Sequence, residues 1–124
     1  MTILAIAVGG ALGSVLRYLL AGTVQRSSAA GFTYGTLAVN VVGCLIVGLL
    51  VPRFTNAEPS SALGGLLIVG FCGGFTTFSA FSIETVGLAS EGEYLRALLY
   101  VFLSVTLCLL ATASGLALAR ALFR

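Results

Sequence analysis

Apolar residues fill this chain so completely that its few charged positions act as boundary marks. Charge-free runs cover residues 27–52, 59–83 and 97–119, and a further run from 1 to 16 continues past Arg17. Each is long enough for the roughly 20 residues that a membrane-crossing helix needs. The pattern predicts an all-α membrane protein of four spans, near residues 2–24, 34–52, 61–89 and 95–121, forming one domain over 1–124. Short turn-like connectors separate them: Gln25 to Thr33, Pro52 to Pro59, and Ser90 to Tyr94 around Glu91-Gly92-Glu93.

The third span departs from a simple helix. At 1.5 Å per residue, its length of about 29 residues exceeds a hydrocarbon core of roughly 30 Å. Its middle carries Gly73-Gly74 followed by Thr76-Thr77. Irregular backbone at membrane depth survives only where protein buries it or where it lines a wet cavity. A break near the midplane is therefore expected, and it is the first candidate site. Small-residue spacings at Gly9/Gly13, Gly31/Gly35 and Gly70/Gly74 predict close helix packing, since lipid gives helices no hydrophobic reason to associate.

Composition narrows the chemistry. Hydrophobic residues make up 59% of the 124 and charged ones only 8%, which excludes a water-soluble fold. Asp, Lys, His and Trp are absent, so hydrolytic and metal chemistry lose their usual side chains, and no basic stripe exists for nucleic acid. Cys44, Cys72 and Cys108 sit in three different apolar segments and read as packing residues, their spacing matching no metal motif. The first segment lacks a positive region ahead of its apolar stretch, so a retained span is expected and not a cleaved signal.

Arginines divide evenly between the two sides: Arg53, Arg120 and Arg124 on one, Arg17, Arg26 and Arg96 on the other. Excess Arg and Lys in short loops fixes orientation, so a tie predicts insertion both ways up. Oppositely oriented copies can close an antiparallel homodimer with its two-fold axis in the membrane plane, placing sites near the midplane as inverted repeats do.

Polar groups within the spans follow helical spacing. Thr36 and Asn40 share a face of the second span, and Tyr100, Ser104, Cys108 and Thr112 repeat every four residues along the fourth. Phe78 and Phe81 share a face of the third just after the expected break, with Ser82 and Thr85 continuing it. Ring edges are weakly positive and can favour a small anion without trapping it, and hydroxyls and the Asn40 amide add donors. No Arg or Lys is expected at midplane depth, which suits conduction, because a conducted ion must also leave. Glu84 and Arg17 lie nearer span ends than centres, as snorkelling anchors or as groups at a pathway mouth.

Three motifs carry a resemblance: Gly-Gly-Ala-Leu-Gly-Ser-Val-Leu-Arg-Tyr at 9–18, Gly-Thr-Leu-Ala-Val-Asn-Val-Val-Gly at 35–43, and Gly-Phe-Cys-Gly-Gly-Phe-Thr-Thr-Phe-Ser-Ala-Phe-Ser-Ile-Glu at 70–84. Over nearly its whole length the chain resembles the CrcB/Fluc fluoride channels, the third motif being the most specific. The resemblance implies a dual-topology antiparallel homodimer in the bacterial plasma (inner) membrane that passively exports fluoride, selects it over chloride and confers fluoride resistance. It implies that Phe78 and Phe81 line the path with Asn40 as a fluoride donor. Tyr100, Ser104 and Thr112 would form a polar track, with Glu84 its neighbour and Arg17 in the vestibule. It further implies a structural sodium ion (Na+) at the dimer centre, held by the backbone carbonyls of Gly73 and Thr76. Ala80 and Cys108 stand where the family often carries Thr and Ser, each removing a hydroxyl.

Two rival readings have less in their favour. A small dual-topology multidrug/proton antiporter needs a carboxylate in its first span, where this chain has only Arg17. A non-conducting assembly subunit explains the glycines but not the polar stripe. An enzyme is not expected, since no nucleophile, base and orienting group occur together.

Overall fold

A computed structural model describes residues 1–28, 32–54 and 61–122. Four helical segments are long and apolar enough to cross a membrane: Thr2–Ser27, Tyr34–Phe54, Ala62–Ser90 and Tyr94–Leu122. The first two are α1 and α2. The third is composite. A single turn, α3 (Ala62–Gly64), is capped by the Ser61 hydroxyl and leads into π-helical turns over Gly65–Cys72. The turn α4 (Gly73–Phe75) precedes two extended residues, and α5 (Phe78–Ser90) completes the span. The fourth span is α6 (Tyr94–Leu122).

The segments fall where the hydropathy pattern sets them, with α1 and α2 running a little further than expected, to Ser27 and Phe54. Gly31, Gly35's expected partner, lies outside the described residues, as does the connector over 55–60. The turn into α6 is closed by Gly92, whose φ of 81° lets the Gly92 and Glu93 amides bond back to Ala89 and Leu88 at 3.1 and 2.9 Å. This is the left-handed residue that ends many helices.

Glycine sets how the spans pack. α1 lies chiefly on the first half of the third span. A Cβ at Gly9 or Gly13 would strike the Leu66 or Phe71 carbonyl, and one at Gly70 or Gly74 would strike the Ile6 or Gly10 carbonyl. The two glycine pairs thus interleave, and the backbones touch as small-residue spacing predicts. A second seam joins α2 to α6, where Gly48 admits the Thr112 carbonyl and Gly115 admits the Leu45 carbonyl.

The break falls at the threonines of the expected stretch and not at its glycines. Gly73 is helical, with φ −64° and ψ −37°, and the chain leaves the helix only at Thr76 (φ −86°, ψ 157°) and Thr77 (φ −149°, ψ 118°). Side-chain bonding at Thr77 explains that placement. The Thr77 hydroxyl accepts from the Ala80 amide at 3.1 Å and starts α5, and Thr76 Oγ1 donates to the Cys72 carbonyl at 2.9 Å. The Thr76 amide keeps its own bond to that carbonyl at 3.0 Å, so it is Thr77, as the cap of α5, that sets the break, whereas Gly74 serves close approach to α1.

Candidate functional site

The break frees backbone groups, and Asn40 takes them up. Its Nδ2 donates to the Thr77 carbonyl at 3.0 Å, and its Oδ1 accepts from the Thr77 amide at 2.8 Å. A side-chain amide therefore replaces a helical turn at a residue only 8% exposed. An Asn amide has two N–H groups, so one remains beyond this bridge.

Asn40 lines a cavity of about 460 Å³ together with Thr77, Phe78, Phe81, Ser104 and Cys108. The Phe78 and Phe81 rings are 5.2 Å apart and tilted by 48°, and Phe81 lies 5.3 Å from the Tyr100 ring. Ser104 is buried at 7% exposure, and its hydroxyl has no partner. A buried hydroxyl without a partner is uncommon, and each such group calls for an explanation. Phe78, by contrast, is 77% exposed in the single chain.

Thr77 also lines a second cavity, of about 560 Å³, with Arg17, Gln25, Thr36, Ala80 and Glu84. Both Glu84 carboxylate oxygens are engaged at 2.6 Å, one accepting from Thr36 Oγ1 and the other from the Tyr100 hydroxyl. Arg17 is not within ion-pair distance of Glu84; Glu93 and Arg96 form an exposed pair at 3.5 Å. Glu84 reaches a third cavity, of about 360 Å³, whose walls include Thr33, Glu91, Glu93 and Arg96.

The stripe on α6 divides by use. Tyr100, fully buried, spends its hydroxyl on Glu84, and Ser104 and Cys108 face the first cavity. Thr112 lines none of these cavities, its hydroxyl lying 3.2 Å from the Cys44 carbonyl and 3.1 Å from its own Cys108 carbonyl. Ser82 and Thr85 likewise donate to Phe78 and Phe81 carbonyls at 2.8 and 2.7 Å.

Two features escape sequence reasoning. Gln25 clamps α1 to α2, its Nε2 donating to the Phe32 carbonyl at 2.9 Å and its Oε1 accepting from the Gly35 amide at 3.1 Å. Thr36 shares the Asn40 face, but only the fold reveals Glu84 as its partner.

A family model described as CrcB-like protein, Camphor Resistance (CrcB), matches residues 4–116. The chain belongs to the CrcB-like family. This CrcB-like chain is 51% identical over 124 residues to the fluoride-specific ion channel FluC of Geobacter sulfurreducens, covering 98% of each chain. It is 49% identical over 122 residues to the protein of that name from Rhizobium etli, covering 96% of each. The relative of the same name from Flavobacterium psychrophilum is 45% identical over 122 residues, at 98% coverage of both. With four apolar spans, the CrcB-like chain is a multi-pass membrane protein.

Proposed function

We propose that this chain is a fluoride-selective channel that lets fluoride leave a bacterial cell passively through its inner membrane and so gives fluoride resistance. The observation that carries the reading is the first cavity, where two phenyl rings, the unpartnered Ser104 hydroxyl and Asn40 meet at the break. The relatives' shared name supports it. Such a site offers a small anion hydrogen-bond donors and ring edges but no fixed cation, so binding stays weak enough to permit exit. No bond is made or broken. The antiporter reading gains nothing, since α1 has no carboxylate.

The working unit of this reading is an antiparallel homodimer within lipid. Irregular backbone at Thr76 and Thr77 flanked by exposed Gly73 and Phe78 needs a protein cover in a membrane. A second, inverted copy supplies it, and the arginine tie permits both insertions. Two carbonyls suit the sodium ion of the resemblance. The Thr77 amide, which would close a turn on Gly73, goes to Asn40, and the Ala80 amide, which would close one on Thr76, goes to the Thr77 hydroxyl. Carbonyl oxygens left without these donors fit a hard cation, which would hold the two breaks together at the dimer centre.

Efflux from liposomes tests the reading, with fluoride and chloride electrodes and a proton-sensitive dye. Fast fluoride efflux, negligible chloride efflux and no obligatory proton exchange are expected. Comparable chloride flux refutes selectivity, and stoichiometric proton movement returns the antiporter. Cysteine labelling at loop positions from each face should find both orientations; labelling from one face alone refutes dual insertion.

A further inference from the structure

Cys44, Cys72 and Cys108 come from three different spans, yet all line the cavity that holds Asn40, Phe81 and Ser104. None is in a disulfide; Cys72 is buried, and Cys44 and Cys108 are half-buried. Cys44 and Cys108 stand level across the α2–α6 seam. One hydroxyl, Thr112 Oγ1, reaches the carbonyls of both, at 3.2 and 3.1 Å. The neighbouring Gly48 and Gly115 bring the two backbones together there. Among the described residues no group of three metal-ligating side chains converges on one point. What the fold offers is a pair.

We propose that Cys44 and Cys108 form a two-coordinate site for a soft, thiophilic metal ion such as mercury(II), silver(I) or copper(I), set in the wall of the cavity that carries the fluoride path. Thiolates select soft metals, and two sulfurs on facing helices suit an ion that prefers two ligands in line. With mercuric chloride the exchange balances without an oxidant: each thiol yields its proton, each sulfur binds mercury, and two chlorides depart with the two protons. The bound ion narrows the cavity and slows fluoride. That blocking step rests on the proposed channel function, whereas the binding itself does not.

Both steps are measured separately. Purified protein in detergent is mixed with mercuric chloride, washed with a small monothiol that strips singly held mercury, and desalted, then assayed for retained mercury and for free thiols after denaturation. The thiol count should fall from the three of the sequence to a single one, with one mercury held per chain. Cys44→Ala and Cys108→Ala should each lose most of the retained mercury, while Cys72→Ala retains it. Three thiols still reactive, or mercury kept equally by Cys44→Ala, overturns the site. In liposomes, mercuric chloride should slow fluoride efflux of the unaltered protein, and Cys44→Ala should resist it, each rate being compared with that protein's own uninhibited rate. Loss of two thiols with efflux unchanged overturns the placement in the pathway wall. Absence of any fluoride efflux before mercury is added counts against the channel reading and leaves the thiol result standing.

Discussion

Replacing Asn40 by leucine tests what the break costs. The substitution nearly preserves bulk but removes both bonds to Thr77, the 3.0 Å donation to its carbonyl and the 2.8 Å acceptance from its amide. Thr77 is 8% exposed, so water has little access to replace them. A buried polar group left unpaired costs about 1–3 kcal/mol, and two such groups cost about 2–6 kcal/mol. That corresponds to a fall of roughly 30-fold to 10⁴-fold in the folded-to-unfolded ratio. The assay is reversible denaturant unfolding in detergent, run beside liposome fluoride efflux. Asn40→Leu should lose both stability and flux. Phe81→Ile leaves the bridge intact, so it should lose flux for a stability cost of only about 1–2 kcal/mol. Asn40→Leu unfolding within about 1 kcal/mol of the unaltered protein would refute the bridge argument. Unchanged flux in Phe81→Ile would return that ring to a packing role.

Glu84→Gln should cost about 1–3 kcal/mol, because the charge-assisted bonds from Thr36 and Tyr100 become neutral ones and one hydroxyl must turn to accept. The same unfolding titration reads it, and no loss would mean the carboxylate is not what those hydroxyls require. Two glycines should respond with opposite signs. Gly13→Ala drives a Cβ into the Phe71 carbonyl and should destabilise by about 1–3 kcal/mol. Gly87→Ala meets nothing within 4 Å and should gain about 0.5–1 kcal/mol from helix propensity; matching signs in unfolding midpoints would refute the packing account.

The four spans were legible because hydropathy alone demands them: apolar stretches of about 20 residues with at most one charge belong in a membrane. Close backbone packing was legible, since Gly9/Gly13 and Gly70/Gly74 recur at the spacing that opens a helix face, although which helices meet there was not. The α2–α6 seam was not, because Gly48 and Gly115 are single glycines whose pairing depends on tertiary register. Nor were the π-helical turns over Gly65–Cys72, whose composition matches that of an ordinary apolar helix. A break in the third span was readable from the stretch Gly73 to Thr77, and the structure puts it at the threonines, directly before Phe78. Glycine suggests a break by its freedom, but here Gly74 serves contact, and the break is held by the Thr77 cap and the Asn40 bridge.

Spacing also put Tyr100, Ser104, Cys108 and Thr112 on one face without saying which hydroxyls are spent. In the fold, Tyr100 is committed to Glu84, and Thr112 lies against backbone carbonyls. Ser104 alone of these hydroxyls has no partner, and it faces the cavity. The same exchange of partners that frees donors also frees acceptors. Once Asn40 takes the Thr77 amide and the Thr77 hydroxyl takes the Ala80 amide, Gly73 and Thr76 carbonyls lose the donors a continuous helix would give them. On the proposed reading, a break of two residues provides, within one turn, both the cavity for the anion and the pair of carbonyls for the cation. That explains physically why Asn40 and Thr77, 37 residues apart, must act together: either alone leaves the backbone of a residue only 8% exposed unpaired.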